Sequence, residues 1–153
     1  HVGGEEGGDG NADDLVETDQ EEALRFYEAT GVDLLAVSIG TSHGKYRRAP
    51  VLNIGLLAEI ARRIPVPLVL HGSSYTPDEM IRDAIRNGIA KINVDTELRD
   101  AVIARTTRDI LQGATFRFVN ELTSGGYSEM TEKIREKMRL FGSSGKAREW
   151  RTS

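Results

Sequence analysis

The stretch VPLVLHGSSYTP, Val66 to Pro77, decides how the rest of this chain is read. Pro65 and Pro67 frame a short apolar run from Val66 to Leu70, the length and character of a buried parallel strand. The run ends in His71 and gives way to a polar loop. Pro77 then stands at a first helical position, and Thr76 and Glu79 are spaced as a capping box. A strand, a loop rich in functional residue types and a helix running to Gly88 make one βα unit.

Working outward, the same order recurs on both sides. Upstream, DLLAVSIG (Asp33 to Gly40) is a nearly all-apolar strand followed by the polar loop TSHGKYRRAP. A helix over Asn53 to Ile64 comes next, with Leu56, Leu57, Ile60, Ala61 and Ile64 on one side. Downstream, Ile89 to Val94 reads as a third strand, and helices are expected over Glu97 to Leu111 and Ser128 to Phe141. Ahead of the first strand, Thr18 and Glu21 form another capping-box spacing. Ala23, Phe26, Tyr27 and Thr30 then recur at helical intervals until Gly31. The glycine- and acid-rich residues 1–18 and the tail after Phe141 have no such periodicity.

The order α-β-α-β-α-β-α-α implies parallel strands joined by right-handed crossovers. Three strands cannot close a barrel. The expected fold is therefore α/β, as either the back half of an eight-stranded barrel or a small open sheet.

The composition narrows the function. The chain has 153 residues, with 20 Lys+Arg against 24 Asp+Glu and a formal net charge of −4. That balance argues against nucleic acid or an anionic membrane as partner. No apolar run approaches a membrane span. There is no cysteine, so a transition metal must rest on His, Asp or Glu, and the lack of thiols suits a reducing cytoplasm.

Each strand hands over at its C-terminal end to a polar loop: Gly40 to Gly44, His71 to Ser74, and Asn93 to Thr96. In parallel α/β folds those ends form one rim, where ligands bind. His43 and His71 fall on that rim on neighbouring strands, each followed by glycine. Strands about 5 Å apart place two imidazoles within reach of one metal ion. Glycine lets a ligand approach the backbone, and free N–H groups after it suit a phosphate. The plainer reading is that His71 to Ser74 is an ordinary βα turn and that Asn93 and Asp95 are turn formers; the joint placement favours a site.

Three stretches, LAVSIGTSHGKY (Leu35 to Tyr46), VPLVLHGSS (Val66 to Ser74) and GIAKINVDTELR (Gly88 to Arg99), resemble the class II fructose-1,6-bisphosphate and tagatose-1,6-bisphosphate aldolases in order and spacing. KMRLFGSSGKA (Lys137 to Ala147) is similar to that family's C-terminus, and Gly3 to Glu6 resembles the loop after its fifth strand. The resemblance covers residues 3–147. It implies the C-terminal part of a (β/α)8 TIM barrel in residues 1–147, with residues 148–153 a polar tail.

The activity so implied is the lyase reaction of glycolysis and related carbohydrate metabolism: reversible cleavage of a ketose bisphosphate to dihydroxyacetone phosphate and glyceraldehyde 3-phosphate. Carried over by motif, His43 and His71 are two of three histidine ligands of a catalytic Zn2+. Gly44, Gly72, Ser73, Ser74, Asn93, Val94, Asp95 and Thr96 bind the substrate, with Asn93 beside the enediolate. Carbonyls near Gly44, Gly72 and Ser74 resemble a monovalent-cation site for Na+ or K+.

The family's third histidine and its proton-donor Asp belong to an earlier strand, ahead of His1. His1 itself stands just before the loop at Gly3 to Glu6, with no strand to carry it and no partner in sequence, and it is not expected to be a zinc ligand. The catalytic acid–base residue therefore has no counterpart here. The expectation is a fragment, inactive alone, of a cytoplasmic homo-oligomer. Gly72-Ser73-Ser74 also departs from the family's usual Gly-Gly-Ser or Gly-Ala-Ser. The alternative is a non-catalytic sugar-phosphate-binding or regulatory half-barrel.

Overall fold

The computed structural model describes residues 16–41 and 50–147, which divide into two compact units meeting between Val94 and Asp95. The first holds α1 (Gln20–Thr30), β1 (Leu35–Val37), α2 (Ile54–Arg63), β2 (Leu68–Leu70), α3 (Asp78–Arg86) and β3 (Ile89–Ile92). The second holds α4 (Thr96–Leu111) and α5 (Val119–Leu140).

The three strands form one parallel sheet in the order β1-β2-β3. Leu35 pairs with Leu68 and Val37 with Leu70; across β2, Leu68 is level with Ile89 and Leu70 with Ile92, with an irregularity between Leu68 and Val69. Only the central strand is buried along its whole length; β3 leaves Ala90 and Lys91 exposed. The strands are shorter than their apolar runs because Leu34 lies 46% exposed and Gly40 turns away at φ 107°. Leu35, Val37, Leu68 and Leu70 pack with Leu57 and Ile60 of α2 and Ile81 of α3 in the core of this unit. Each such side chain contributes about 1.5–3 kcal/mol on burial.

Neither expected capping box forms. Asp19 caps α1 by accepting from Glu22 N–H at 2.9 Å. Thr18 is buried instead: its N–H donates to the Ser38 carbonyl (2.9 Å) and its Oγ1 accepts from Ser38 N–H (2.8 Å). A buried strand amide left without an acceptor costs more than an exposed helix cap returns, so the hydroxyl serves the strand. At α3, Pro77 holds the cap position with no side-chain cap bond, and Glu79 pairs with Arg82 and Arg86 rather than reaching back. The Thr76 hydroxyl is buried with no hydrogen-bond partner among the described residues. At α2 the expected start holds: Asn53 opens the helix, its Oδ1 accepting from Leu56 N–H at 3.0 Å.

In the second unit, α5 begins at Val119, nine residues before the expected Ser128. Gly125 and Gly126 lie within it and serve a close helix crossing. A Cβ on Gly126 would lie 2.7 Å from Val102 Cγ1 and 2.8 Å from Val102 Cα. Glu97 and Lys137 are buried and paired, Nζ to Oε1 2.8 Å, in the distance of an ion pair without the alignment of a hydrogen bond.

Candidate active site

The register sets the site. With Val37, Leu70 and Ile92 level, the residues that follow them are Ser38, His71 and Asn93. Asn93 N–H donates to the Leu70 carbonyl at 3.0 Å, continuing the β2–β3 pairing one residue past the strand. This brings the Asn93 carboxamide to the His71 ring: Nδ2 lies 3.3 Å from both Nδ1 and Nε2. On the other side of the amide, Lys91 Nζ donates to Asn93 Oδ1 at 2.6 Å.

Two hydroxyls fasten the loops sideways. Thr41 Oγ1, after β1, donates to the His71 carbonyl after β2 at 2.6 Å. Ser73 Oγ, after β2, donates to the Asn93 carbonyl after β3 at 2.7 Å. The pattern is the same each time: a hydroxyl following one strand holds the first carbonyl beyond the next. The hydroxyl by which Ser73 departs from the family's usual Gly or Ala is the one that makes this bond.

The loop between His71 and α3 is tight. Gly72 sits at φ 63°, and Tyr75 is a non-glycine residue at φ 61°. Thr76 N–H closes the turn onto the Ser73 carbonyl at 3.2 Å. Ser73, Ser74 and Thr76 are buried, whereas Tyr75 is exposed. Gly40 approaches the chain returning toward α2 so closely that a Cβ would meet the Val51 carbonyl oxygen at 2.3 Å.

Of the residues expected to form the site, His43 and Gly44 lie outside the described residues. His1, which the sequence reading set aside as a ligand, lies outside them too, so the structure bears on neither expectation. His71, Gly72, Ser73, Ser74, Asn93 and Val94 belong to the first unit, and there the structure joins His71, Ser73 and Asn93 directly. Asp95 and Thr96 open the second unit. Asp95 caps no backbone N–H with its side chain, and its carboxylate lies 3.0 Å from Arg99 Nη2. Thr41 and Lys91 were not among the expected residues. Lys91 was legible in principle: two residues before Asn93 on one strand, it shares that residue's face.

The donor chemistry at His71 suits zinc. Zinc binds imidazole in its neutral form, so the His71 side chain is of a ligand type that zinc accepts. Among the described residues no three His, Cys, Asp or Glu side chains gather to complete a ligand set.

A histidine, an asparagine and glycine–serine turns gather at the carboxyl ends of the parallel strands of an α/β protein, the place where such folds bind ligands. The chain belongs to the class II fructose-bisphosphate aldolase family, whose model matches residues 1–146. Among curated proteins it is 43% identical over 131 residues to a sulfofructosephosphate aldolase of Alkalicoccus urumqiensis, covering 86% of this chain and 46% of that protein. Among solved structures it resembles the YdjI aldolase of Escherichia coli K12 (TM-score 0.75, 40% identity, 86% of this chain and 48% of that one). Its fold is also that of the fructose-bisphosphate aldolase of Campylobacter jejuni (TM-score 0.68, 20% identity, 90% of this chain and 49% of that one). The chain thus spans about half the length of the relatives it matches. No described helix is long and apolar enough to cross a membrane.

Proposed function

We propose that this chain is the part of a metal-dependent ketose-bisphosphate aldolase that carries the sixth to eighth strands of a (β/α)8 barrel. The reaction is the reversible cleavage of fructose- or tagatose-1,6-bisphosphate to dihydroxyacetone phosphate and glyceraldehyde 3-phosphate. The observation that carries the reading is the contact of the Asn93 amide with the His71 imidazole at the ends of adjacent parallel strands. Family membership favours this over a non-catalytic half-barrel.

Each residue takes a role that its chemistry allows. His71, with His43, would hold the zinc, which when bound withdraws charge from the ketone oxygen of the substrate as a Lewis acid. Asn93 would orient the three-carbon unit by hydrogen bonding to its oxygens. The Gly44 and Gly72-Ser73-Ser74 loops would offer backbone N–H groups to its phosphate, and Na+ or K+ would rest on nearby carbonyls. Val94, Asp95 and Thr96 are assigned to the same substrate by resemblance. The buried Ser73 would act through its bond to the Asn93 carbonyl, keeping that strand end in place. None of the matched motifs contains the carboxylate that must move the C4 hydroxyl proton, so the 153-residue chain by itself is proposed to be inactive. The whole protein is proposed to be a cytoplasmic homo-oligomer.

The test uses the protein expressed from its complete reading frame and loaded with zinc. Fructose-1,6-bisphosphate, tagatose-1,6-bisphosphate and sulfofructose phosphate are offered in parallel, the last because of the curated relative's name. Cleavage of at least one, abolished by a chelator and by His71→Ala, is the expected result. Activity that survives both treatments rules the reading out.

A further inference from the structure

The contact between Asn93 and His71 leaves a question of orientation. A carboxamide has two ends of nearly equal size and opposite hydrogen-bonding character, and a half-turn about its terminal bond exchanges donor for acceptor. Toward the imidazole, the NH2 end can only donate and the oxygen end can only accept. Something must hold the amide the right way round.

In the first unit that group is Lys91. Its Nζ stands 2.6 Å from Asn93 Oδ1, while Asn93 Nδ2 stands 3.3 Å from each ring nitrogen of His71. An ammonium is a donor only and cannot be satisfied by an NH2 group. With Lys91 beside the amide, the flipped orientation would set two donors against each other. Parallel-strand geometry makes this arrangement possible, since Lys91 and Asn93 alternate onto one face of the chain leaving β3. The Asn93 backbone is fixed as well, with its N–H on the Leu70 carbonyl and its carbonyl held by Ser73 Oγ.

We propose that Lys91 is a positioning residue: its ammonium fixes the Asn93 carboxamide so that the NH2 end faces His71. This rests on the reading of His71 and Asn93 as site residues. Lys91 is proposed to act through the amide alone, so its effect exists only while Asn93 is present.

A double-mutant cycle on the zinc-loaded protein from the complete reading frame tests it. Lys91→Met should lower kcat about fivefold with little change in KM, as expected for one hydrogen bond to a charged group in an exposed setting, while Lys91→Arg should stay within about twofold of the parent. Zinc affinity without substrate, measured by competition with a chromophoric chelator, should fall about severalfold in Lys91→Met and be restored by arginine. In an Asn93→Ala background, Lys91→Met should have no further effect on either quantity. Lys91 is exposed, so the thermal midpoint of Lys91→Met should match the parent. Equal losses with and without Asn93, or a Lys91→Met variant indistinguishable from the parent, overturn the proposal. If Asn93→Ala and His71→Ala are themselves fully active, it is the site reading that has failed.

Discussion

The Glu97 carboxylate, in the first turn of α4, meets the Lys137 ammonium near the end of α5 at 2.8 Å, with side chains only 7% and 10% exposed. Removing one partner of a buried pair leaves the other charge less well compensated, which costs more than the pair itself is worth. Lys137→Met should therefore destabilise the α4–α5 unit by about 3–5 kcal/mol, and adding Glu97→Gln should recover a good part of the loss. Hydrogen exchange of the α4 and α5 amides reads this directly. A double variant no better than Lys137→Met would mean that packing, not charge, holds the helices together.

Gly40→Ala should be among the most damaging single-methyl changes in the first unit. The new Cβ would lie 2.3 Å from the Val51 carbonyl oxygen, a backbone atom that cannot rotate aside, and φ is 107°. An apparent loss of about 2 kcal/mol or more is expected from strain at a position open essentially to glycine alone. Urea unfolding followed through the sheet measures it.

Tyr75→Gly should act in the opposite direction. At φ 61° a tyrosine costs about 1–2 kcal/mol that glycine avoids, partly offset by glycine's greater freedom in the unfolded chain. A modest rise in thermal midpoint is expected. A fall would show that contacts of the phenol outweigh the backbone strain.

Acid should loosen the ion-pair cluster on α3. The Glu79 carboxyl is held below its ordinary range, chiefly by its hydrogen bond to Arg86 and then by that to Arg82. A carboxyl lowered in the folded state contributes stability above its unfolded range and loses it as pH falls through the folded value. Glu79→Gln should thus lower stability slightly at neutral pH, match the parent below the folded value, and so flatten the acid side of the stability profile. The effect is small, because the group is exposed, and it should shrink further in high salt.

The βα order and the rim were legible in the sequence because apolar runs of strand length alternate with amphipathic helices and end in polar loops. The start of α2 at Asn53 was legible because asparagine is a preferred cap residue, and its oxygen caps while its NH2 group donates to Glu17. Thr18 was not, since the same spacing that makes a capping box also suits a hydroxyl that serves a buried strand end, and only the fold decides between them; at α3 Pro77 takes the cap position, and the Thr76 hydroxyl makes no cap bond. The start of α5 at Val119 was not legible for a related reason: glycine can end a helix where the chain must turn or sit within one where another backbone must come near, and Gly126 does the latter. The sideways bonds of Thr41 and Ser73 join residues 30 and 20 positions apart, beyond any local pattern.

Those sideways bonds have a consequence for ligand capture. Because Thr41 secures the loop after β2 and Ser73 the loop after β3, disorder in one loop cannot be tolerated without loosening its neighbour. For those two loops, conformational entropy is surrendered when the chain folds and not when a small molecule arrives. A guest would meet the ends of β2 and β3 already set.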